Sequence, residues 1–340
     1  MAASMPAKER SGAILTVDLD AVRANYRLLR DKAHPAACSA VVKSDAYGLG
    51  AAQVGAALYE EGCRHFFVAH LEEGISLRPH VAPDASIFVL HGPPVDTEGE
   101  FTAHGLTPVL NSEPQVAGWR AHAKALGKAL DAIMQVDTGM SRMGLSPQEI
   151  DAWLLDAHFL DGIKVRYIMS HLACADERSN PMNGEQLARF IAIRARLPQY
   201  RASLANSSGI FLSPDYHFDL VRPGAALYGI APQGGEPNPL DRRHLDGFHH
   251  ARRERHRRGA RGAGQPGRPD LRRTPGRRRG GHGQYHRLRG VDQFGRTLLS
   301  RIPGIGWRTL NSAKPMIVWQ DSPVVSFTPG LFFYQDRGFI

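Results

Sequence analysis

Short apolar runs alternate with amphipathic stretches from residue 12 to about residue 236. The apolar runs are rich in Val, Ile, Leu and Phe, which is typical of buried strands. They predict strands at residues 14–17, 39–42, 65–69, 86–90, 106–110, 132–136, 163–169 and 218–221. Apolar positions with helical spacing predict helices at residues 51–61, 113–126, 147–157 and 184–196. Asp18 is placed to cap a further helix that carries Leu19, Val22, Tyr26 and Leu29.

Repeated strand–helix units of this length are typical of α/β proteins with a parallel sheet, because each helix returns the chain to start the next strand. A closed (β/α)8 barrel of the TIM type accommodates about eight such units. We therefore predict a barrel for residues 12–236, preceded by a disordered N-terminal segment at residues 1–11.

The chain changes character after Pro239. Residues 241–290 contain 16 arginines, ten glycines and only four acids, and no Val, Ile, Met or Trp. This segment carries a net charge of +12 against +9 for the whole chain, so the remainder is slightly acidic at −3. With so little apolar mass we predict disorder for residues 237–290, and we assign no structure to residues 291–340.

Two interpretations of the basic segment stay open. An arginine- and glycine-rich arm could bind nucleic acid, but the segment holds only Phe248 and Tyr285 for stacking on bases. The interpretation we favour is translation of a GC-rich gene out of frame. With CGN arginine and CTN leucine codons, a shift of one base through residues 281–290 permits Ala-Thr-Val-Ser-Ile-Ile-Gly-Tyr-Ala, and through residues 270–275 it permits Thr-Tyr-Gly-Ala.

The remaining composition narrows the class of protein. No run of 18 or more apolar residues is present, so we predict no membrane span. Residues 1–10 lack the apolar core of a secretory signal. The three cysteines, Cys38, Cys63 and Cys174, are too few and too scattered for a disulfide framework or a zinc site. A cytoplasmic enzyme is the simplest expectation.

The first candidate for chemistry is Lys43, at the end of the predicted strand at residues 39–42. A lysine at the carboxyl mouth of a barrel can be a salt-bridge partner, or a partly dehydrated amine that condenses with an aldehyde. Residues 39–50, Ser-Ala-Val-Val-Lys-Ser-Asp-Ala-Tyr-Gly-Leu-Gly, resemble the pyridoxal-phosphate lysine motif of alanine racemases. The resemblance implies that Lys43 bonds the cofactor and is one catalytic base, and that Tyr47 helps to hold the phosphate.

A second motif follows the predicted strand at residues 132–136. Asp-Thr-Gly alone is compatible with a turn that starts a helix, but residues 137–144, Asp-Thr-Gly-Met-Ser-Arg-Met-Gly, resemble a motif of the same family. The resemblance implies that Arg142 binds the substrate carboxylate and the phenolate oxygen of the cofactor. Many members carry a lysine, sometimes carbamylated, where this chain has Gln135, so we expect that modification to be absent.

Three more strand ends match the family in order. Each alone could be structural: a satisfied polar histidine at His171, a helix cap at Asn206 and Ser207, and a turn at residues 222–224. The resemblance implies that His171 packs on the pyridine ring and that Asn206 and Ser207 bind phosphate. It also implies that Arg222 faces the pyridine nitrogen. Backbone N–H groups of Gly224 and Ala225 complete the predicted phosphate site.

The resemblance covers residues 12–236 and implies a pyridoxal-phosphate-dependent homodimer that interconverts L- and D-alanine for peptidoglycan. In the family the second base is a tyrosine of a C-terminal β domain. Its Gly-Tyr-Ala-Asp-Gly segment is absent from this chain, so we predict that the β domain is disrupted and that activity and dimer contact are reduced. A pyridoxal-phosphate barrel that does not racemise is the alternative enzyme-like interpretation.

Overall fold

The computed structural model describes residues 14–240 and short strands at residues 248–249, 316–319 and 325–326. All of these belong to one of the two units into which the chain divides, and the other unit, residues 252–313, lies outside the described residues. The strands are β1 Ile14–Val17, β2 Ala37–Cys38, β3 Ala40–Val41, β4 His65–Val68, β5 Ser86–Val89, β6 Leu106–Leu110, β7 Leu130–Gln135, β8 Ile163–Met169, β9 Ala202–Ser203, β10 Leu220–Val221, β11 Phe248–His249, β12 Met316–Trp319 and β13 Val325–Ser326. The helices are α1 Leu19–Ala33, α2 Lys43–Gly48, α3 Ala51–Glu60, α4 Leu71–Leu77, α5 Glu98–Ala103, α6 Glu113–Leu126, α7 Pro147–Leu155 and α8 Pro181–Arg196.

The central sheet is a closed parallel barrel. Strands β3 to β9 pair in chain order, and β10 pairs with β2, which is separated from β3 only by Ser39. Hydrogen bonds from Ser39 N to Val221 O and from Arg222 N to Ala205 O, at 3.0 and 2.9 Å, close the sheet. With β2 and β3 counted as one strand, eight described strands form the barrel, and the predicted TIM-type fold is confirmed.

Successive residues of the barrel strands fill two separate cores. On β4, Phe67 points into the barrel interior with Phe88, while Phe66 packs in the layer between sheet and helices. The interior also contains Val41, Val109, Ile133, Tyr167, Met169 and Leu220. Because both faces of the sheet are apolar, the strands appear in the sequence as continuous hydrophobic runs rather than alternating ones. The filled interior leaves the ends of the barrel for chemistry.

The helical prediction after β1 is also confirmed. The Asp18 side chain accepts a hydrogen bond from Ala21 N at 3.0 Å and caps α1. Helix α1 buries Val22, Tyr26 and Leu29 against the barrel, and the Tyr26 hydroxyl donates to Cys38 O at 3.1 Å. This packing fixes the first helix beside the strand that leads to Lys43.

The sequence prediction missed one barrel strand. Strand β9 has two residues in a stretch without β-branched or aromatic side chains, and it is a strand because Ala202 pairs with Ile168 of β8. Helices α4 and α5 were also missed, because seven and six residues are too few to show a helical period.

Strand β1 lies outside the barrel. It pairs with β11 and β12 in a four-stranded sheet that β13 completes. Strand β11 falls in the segment for which we predict disorder, and β12 and β13 fall in the part left unassigned. The rest of residues 241–340 and the predicted disordered residues 1–11 lie outside the described residues. Among the described helices, none is both long and apolar enough to cross a membrane.

Candidate active site

The four charged or titratable side chains that the sequence singles out lie at the carboxyl end of the barrel. Lys43 follows β3, Arg142 follows β7, His171 follows β8 and Arg222 follows β10. Their charges act on one another, since Arg222, Arg142 and Lys43 all lower the pKa of His171. The barrel therefore brings together residues that are up to 179 positions apart in the chain, from 43 to 222.

The segment after Lys43 has an unusual backbone. Ser44, Asp45, Ala46 and Tyr47 have φ angles of 52°, 54°, 53° and 57°, so α2 is one turn of left-handed helix. A left-handed residue other than glycine costs about 1–2 kcal/mol, so surrounding contacts must hold this turn. The sequence predicts only a glycine-punctuated turn here.

Hydrogen bonds at both ends of the turn compensate for its strain. Ala46 N donates to Val42 O and Gly50 N donates to Asp45 O, each at 2.8 Å. Ser44 N donates to Glu73 Oε1 at 2.9 Å, and Ala51 N donates to Asp45 Oδ1 at 2.6 Å. The turn directs the chain so that Lys43 faces the barrel mouth while Tyr47 reaches toward β10.

The half-buried Lys43 amine has a lowered pKa. Desolvation is the main cause and the positive charge of Arg142 adds to it, while the negative charge of Glu73 opposes both. A lysine with a lowered pKa has more neutral amine at neutral pH and is a better nucleophile.

His171 and Arg222 form a contact beside this lysine. Arg222 Nη2 lies 3.5 Å from His171 Nδ1 and donates to Ser170 O at 2.6 Å and to Leu204 O at 3.3 Å, while Nη1 donates to the Ser203 hydroxyl. Burial lowers the pKa of Arg222 to about 9. Desolvation and the cations around it lower the pKa of His171 to about 3, so the imidazole is neutral.

A hydroxyl and backbone N–H groups form a small cradle next to Tyr47. The Ser207 hydroxyl oxygen accepts hydrogen bonds from Gly224 N at 2.9 Å and from Ala226 N at 3.1 Å. A Cβ at residue 224 would collide with the Tyr47 hydroxyl, so only glycine leaves room for it. Ala225 begins a short 3-10 helix, Ala225–Tyr228, at this point. Hydroxyls and amide N–H groups at a helix start are chemically suited to a phosphate, so these residues fit the phosphate end of pyridoxal phosphate.

Asn206 has a local role in this structure. Its Oδ1 accepts from Gly209 N at 2.9 Å and its Nδ2 donates to Leu172 O at 3.4 Å. It thereby holds the start of the 3-10 helix Gly209–Phe211 beside Ser207. This is the cap that the sequence also permits.

The Asp-Thr-Gly segment forms a tight turn that leads to Arg142. Asp137 Oδ1 accepts from Gly139 N at 2.8 Å and from Ser141 N at 3.1 Å, and the Arg142 side chain emerges exposed to solvent. Gln135, where many racemases have lysine, is buried and donates to Met143 O at 3.3 Å. The turn and the arginine are therefore two parts of one arrangement rather than alternatives.

Sequence reasoning missed a buried glutamine that links two strand ends. Gln186 of α8 donates to His171 O at 2.9 Å and to Thr138 Oγ1 at 3.3 Å, and it accepts from Ala173 N at 2.8 Å. It also missed Glu73, whose position three residues after His70 in a capping box was visible in the sequence. No sequence signal points to Gln186.

Comparisons with known proteins agree with this arrangement. The family model described as alanine racemase, N-terminal domain, matches residues 17–232. The chain is 54% identical over 230 residues to a catabolic alanine racemase of Mesorhizobium japonicum, covering 68% of this chain and 60% of that protein. It is 51% identical over 223 residues to an alanine racemase of Brucella abortus, covering 66% of this chain and 56% of that protein.

A solved structure gives the same result. Alanine racemase from Bartonella henselae, with covalently bound pyridoxal phosphate, superposes with a TM-score of 0.66 at 43% identity, covering 68% of this chain and 67% of that one. The match to the two curated relatives spans about three fifths of their length. Because the family model matches more than half of its residues, the chain belongs to the alanine racemase family.

Proposed function

We propose that this chain is an alanine racemase whose barrel binds pyridoxal phosphate through Lys43. The observation that carries the proposal is the Lys43 amine, with its lowered pKa, at the same barrel mouth as Arg222 and the Ser207–Gly224 cradle. The activity named for the relatives in Mesorhizobium and Brucella supports it.

The cofactor would be held at three points. Ser207, Gly224, Ala225 and Tyr47, with Asn206 shaping the loop, would bind its phosphate. Arg222 would face its ring nitrogen and His171 would lie against its ring. When bound, pyridoxal phosphate supplies an aldehyde and a conjugated ring that withdraws electrons from an attached amino acid.

The residues of the chain then have distinct tasks. Lys43 Nζ bonds the aldehyde and holds the α-proton of alanine on one face of the substrate. Arg142 binds the substrate carboxylate with its planar guanidinium. Arg222 stays protonated at neutral pH because its pKa of about 9 is still above 7, so it orients the ring without donating its proton. The neutral His171 adds no further positive charge to the site.

The second proton-transfer group is the open part of the proposal. The family match ends at residue 232, close to the change in composition near residue 239. We propose that the frame is lost there and that the tyrosine base is missing. One acid–base group contributes about 10² to 10⁴-fold, so racemisation by this chain should be reduced by that order. Cytoplasmic location and weakened dimerisation belong to the same proposal.

Two measurements test these statements. The full chain is incubated with pyridoxal phosphate, reduced with borohydride and digested, and mass spectrometry locates the adduct. We expect it on Lys43, lost in Lys43→Arg and kept in Lys164→Arg, whose lysine is exposed on β8. Absence of an adduct from the wild-type chain would refute cofactor binding.

Alanine in deuterated water then separates racemase from alternative. Slow exchange of the α-hydrogen with D-alanine formation supports an impaired racemase. An adduct without any exchange supports the barrel that does not racemise, which is favoured by the restriction of the match to the barrel. Resequencing codons 235–295 tests the frame directly, and an intact frame would refute its loss. The nucleic-acid alternative concerns residues 241–290, almost all of which lie outside the described residues.

A further inference from the structure

Glu73 joins two structural elements at the barrel mouth with one carboxylate. Its Oε2 accepts from Ala69 N at 2.7 Å and from His70 N at 3.5 Å, at the carboxyl end of β4. Its Oε1 accepts from Ser44 N at 2.9 Å, although 29 residues separate the two positions. Glu73 therefore connects the end of β4 to the peptide that follows Lys43.

The hydrogen bond to Ser44 lies where the backbone is most strained. Ser44 is the first of four consecutive residues with positive φ, and its N–H belongs to the peptide bond directly after Lys43. Strained conformations persist only when neighbouring contacts hold them. Hydrogen bonds to an ionised carboxylate are roughly twice as strong as neutral ones. Glu73 is thus well suited to fix the direction in which the Lys43 side chain leaves the backbone.

The charge of Glu73 acts on the same lysine. The groups that interact electrostatically with Lys43 are Arg142 after β7, Glu73 on α4, His91 after β5 and His171 after β8. Glu73 also faces His91, which stacks edge-on with His70 at a centroid distance of 4.3 Å. Desolvation and Arg142 lower the pKa of Lys43, and Glu73 raises it. Without the carboxylate, the amine would be a weaker base.

We propose that Glu73 is the positioning residue for Lys43: one carboxylate holds the left-handed turn and places a negative charge near the amine. The consequence rests on the proposed function, in which Lys43 Nζ must take up and release a proton. A burial that makes the amine neutral enough to bond an aldehyde also makes it a poor proton acceptor. Glu73 keeps the amine basic enough for the second task.

The charge effect is tested on the full chain without cofactor. Cyanate reacts with neutral amines, and mass spectrometry of digests reports the labelling rate of Lys43 over a pH series. In Glu73→Gln we expect labelling near neutral pH to be about threefold faster or more, because the amine loses its proton more easily. Glu73→Asp keeps the charge and should retain most of the wild-type profile. Glu72→Gln, whose glutamate is exposed on the same helix, should not change it.

The hydrogen bond is tested separately by amide hydrogen exchange of the segment that contains Ser44. Both variants of Glu73 should exchange faster there, since aspartate is too short to reach Ser44 N from α4, and Glu72→Gln should match wild type. A folded Glu73→Gln with wild-type labelling would overturn the charge effect. If that variant does not fold, wild-type exchange in Glu73→Asp would overturn the positioning role. Failure of the wild-type chain to bind pyridoxal phosphate would refute the proposed function and leave these two results intact.

Discussion

Arg222 Nη2 lies 3.5 Å from His171 Nδ1, and the guanidinium has only N–H groups to offer. Nδ1 must therefore accept, and the neutral imidazole carries its proton on Nε2. The contact sets the tautomer of His171 from a residue 51 positions away. A proton added to this imidazole would face Arg222, Arg142 and Lys43, which explains the direction of its pKa shift.

Protonation of His171 predicts a loss of stability in acid. Its folded pKa of about 3 lies below the ordinary value of 6.5, so the unfolded chain binds the proton first as the pH falls. Stability should be complete above about pH 6.5 and should decrease toward pH 3, by about 1 kcal/mol near pH 5 because the ring is partly accessible to solvent. Urea unfolding of the cofactor-free chain should show a shallower pH dependence in His171→Gln. Equal slopes in both proteins would contradict the burdened neutral imidazole.

Gly224→Ala should damage the cradle without backbone strain. The φ angle of Gly224 is −126°, so the added Cβ matters only through its collision with the Tyr47 hydroxyl. We expect a loss of about 1–3 kcal/mol in stability and weaker binding of pyridoxal phosphate by at least about tenfold. Thermal unfolding and absorbance titration measure the two effects.

A control and a rescue make this prediction specific. Gly184→Ala on α8 adds a Cβ in open space and should stabilise the helix by about 0.5–1 kcal/mol. Tyr47→Phe in the Gly224→Ala background removes the colliding oxygen and should recover stability. If the double variant were no better than Gly224→Ala, the collision would not be the cause.

Glycine should have opposite effects at two serines. Ser44 has a φ of 52°, so Ser44→Gly removes left-handed strain of about 1–2 kcal/mol against an entropy cost of about 0.5–1 kcal/mol. We expect stabilisation of up to about 1 kcal/mol. Ser76→Gly, on the exposed side of α4, should destabilise by about 0.5–1 kcal/mol. Chemical denaturation measures both, and destabilisation by both would speak against a strained turn.

Gln186→Leu should leave three polar groups around His171 without their partner. These are His171 O, Ala173 N and Thr138 Oγ1, and each buried group left unsatisfied costs about 1–3 kcal/mol. We expect a loss of at least about 2 kcal/mol in unfolding free energy, with weaker cofactor binding. Gln148→Leu on α7 is exposed and should stay within about 0.5 kcal/mol of wild type. Equal stability of the two variants would show that Gln186 is not a structural link.

Much of the barrel follows from local patterns. Seven of its strands appear as apolar runs, because a parallel strand buried on both faces needs no polar alternation. Strand β9 does not appear, since Ala202 and Ser203 become a strand only through pairing with β8. Helix α8 begins at Pro181 rather than at residue 184, since Asn180 caps it by accepting from Met182 N.

The sequence by itself determined which side chains carry the proposed chemistry, because Lys43, Arg142, His171 and Arg222 each end a recognisable strand or follow it within a short motif. Only the tertiary structure decided how they are held. Ser44 and Glu73 are 29 residues apart and Thr138 and Gln186 are 48 apart, so neither contact leaves a trace in local periodicity. The left-handed turn after Lys43 has the same origin. Four non-glycine residues do not favour that conformation locally, and contacts from α4 and β3 stabilise it.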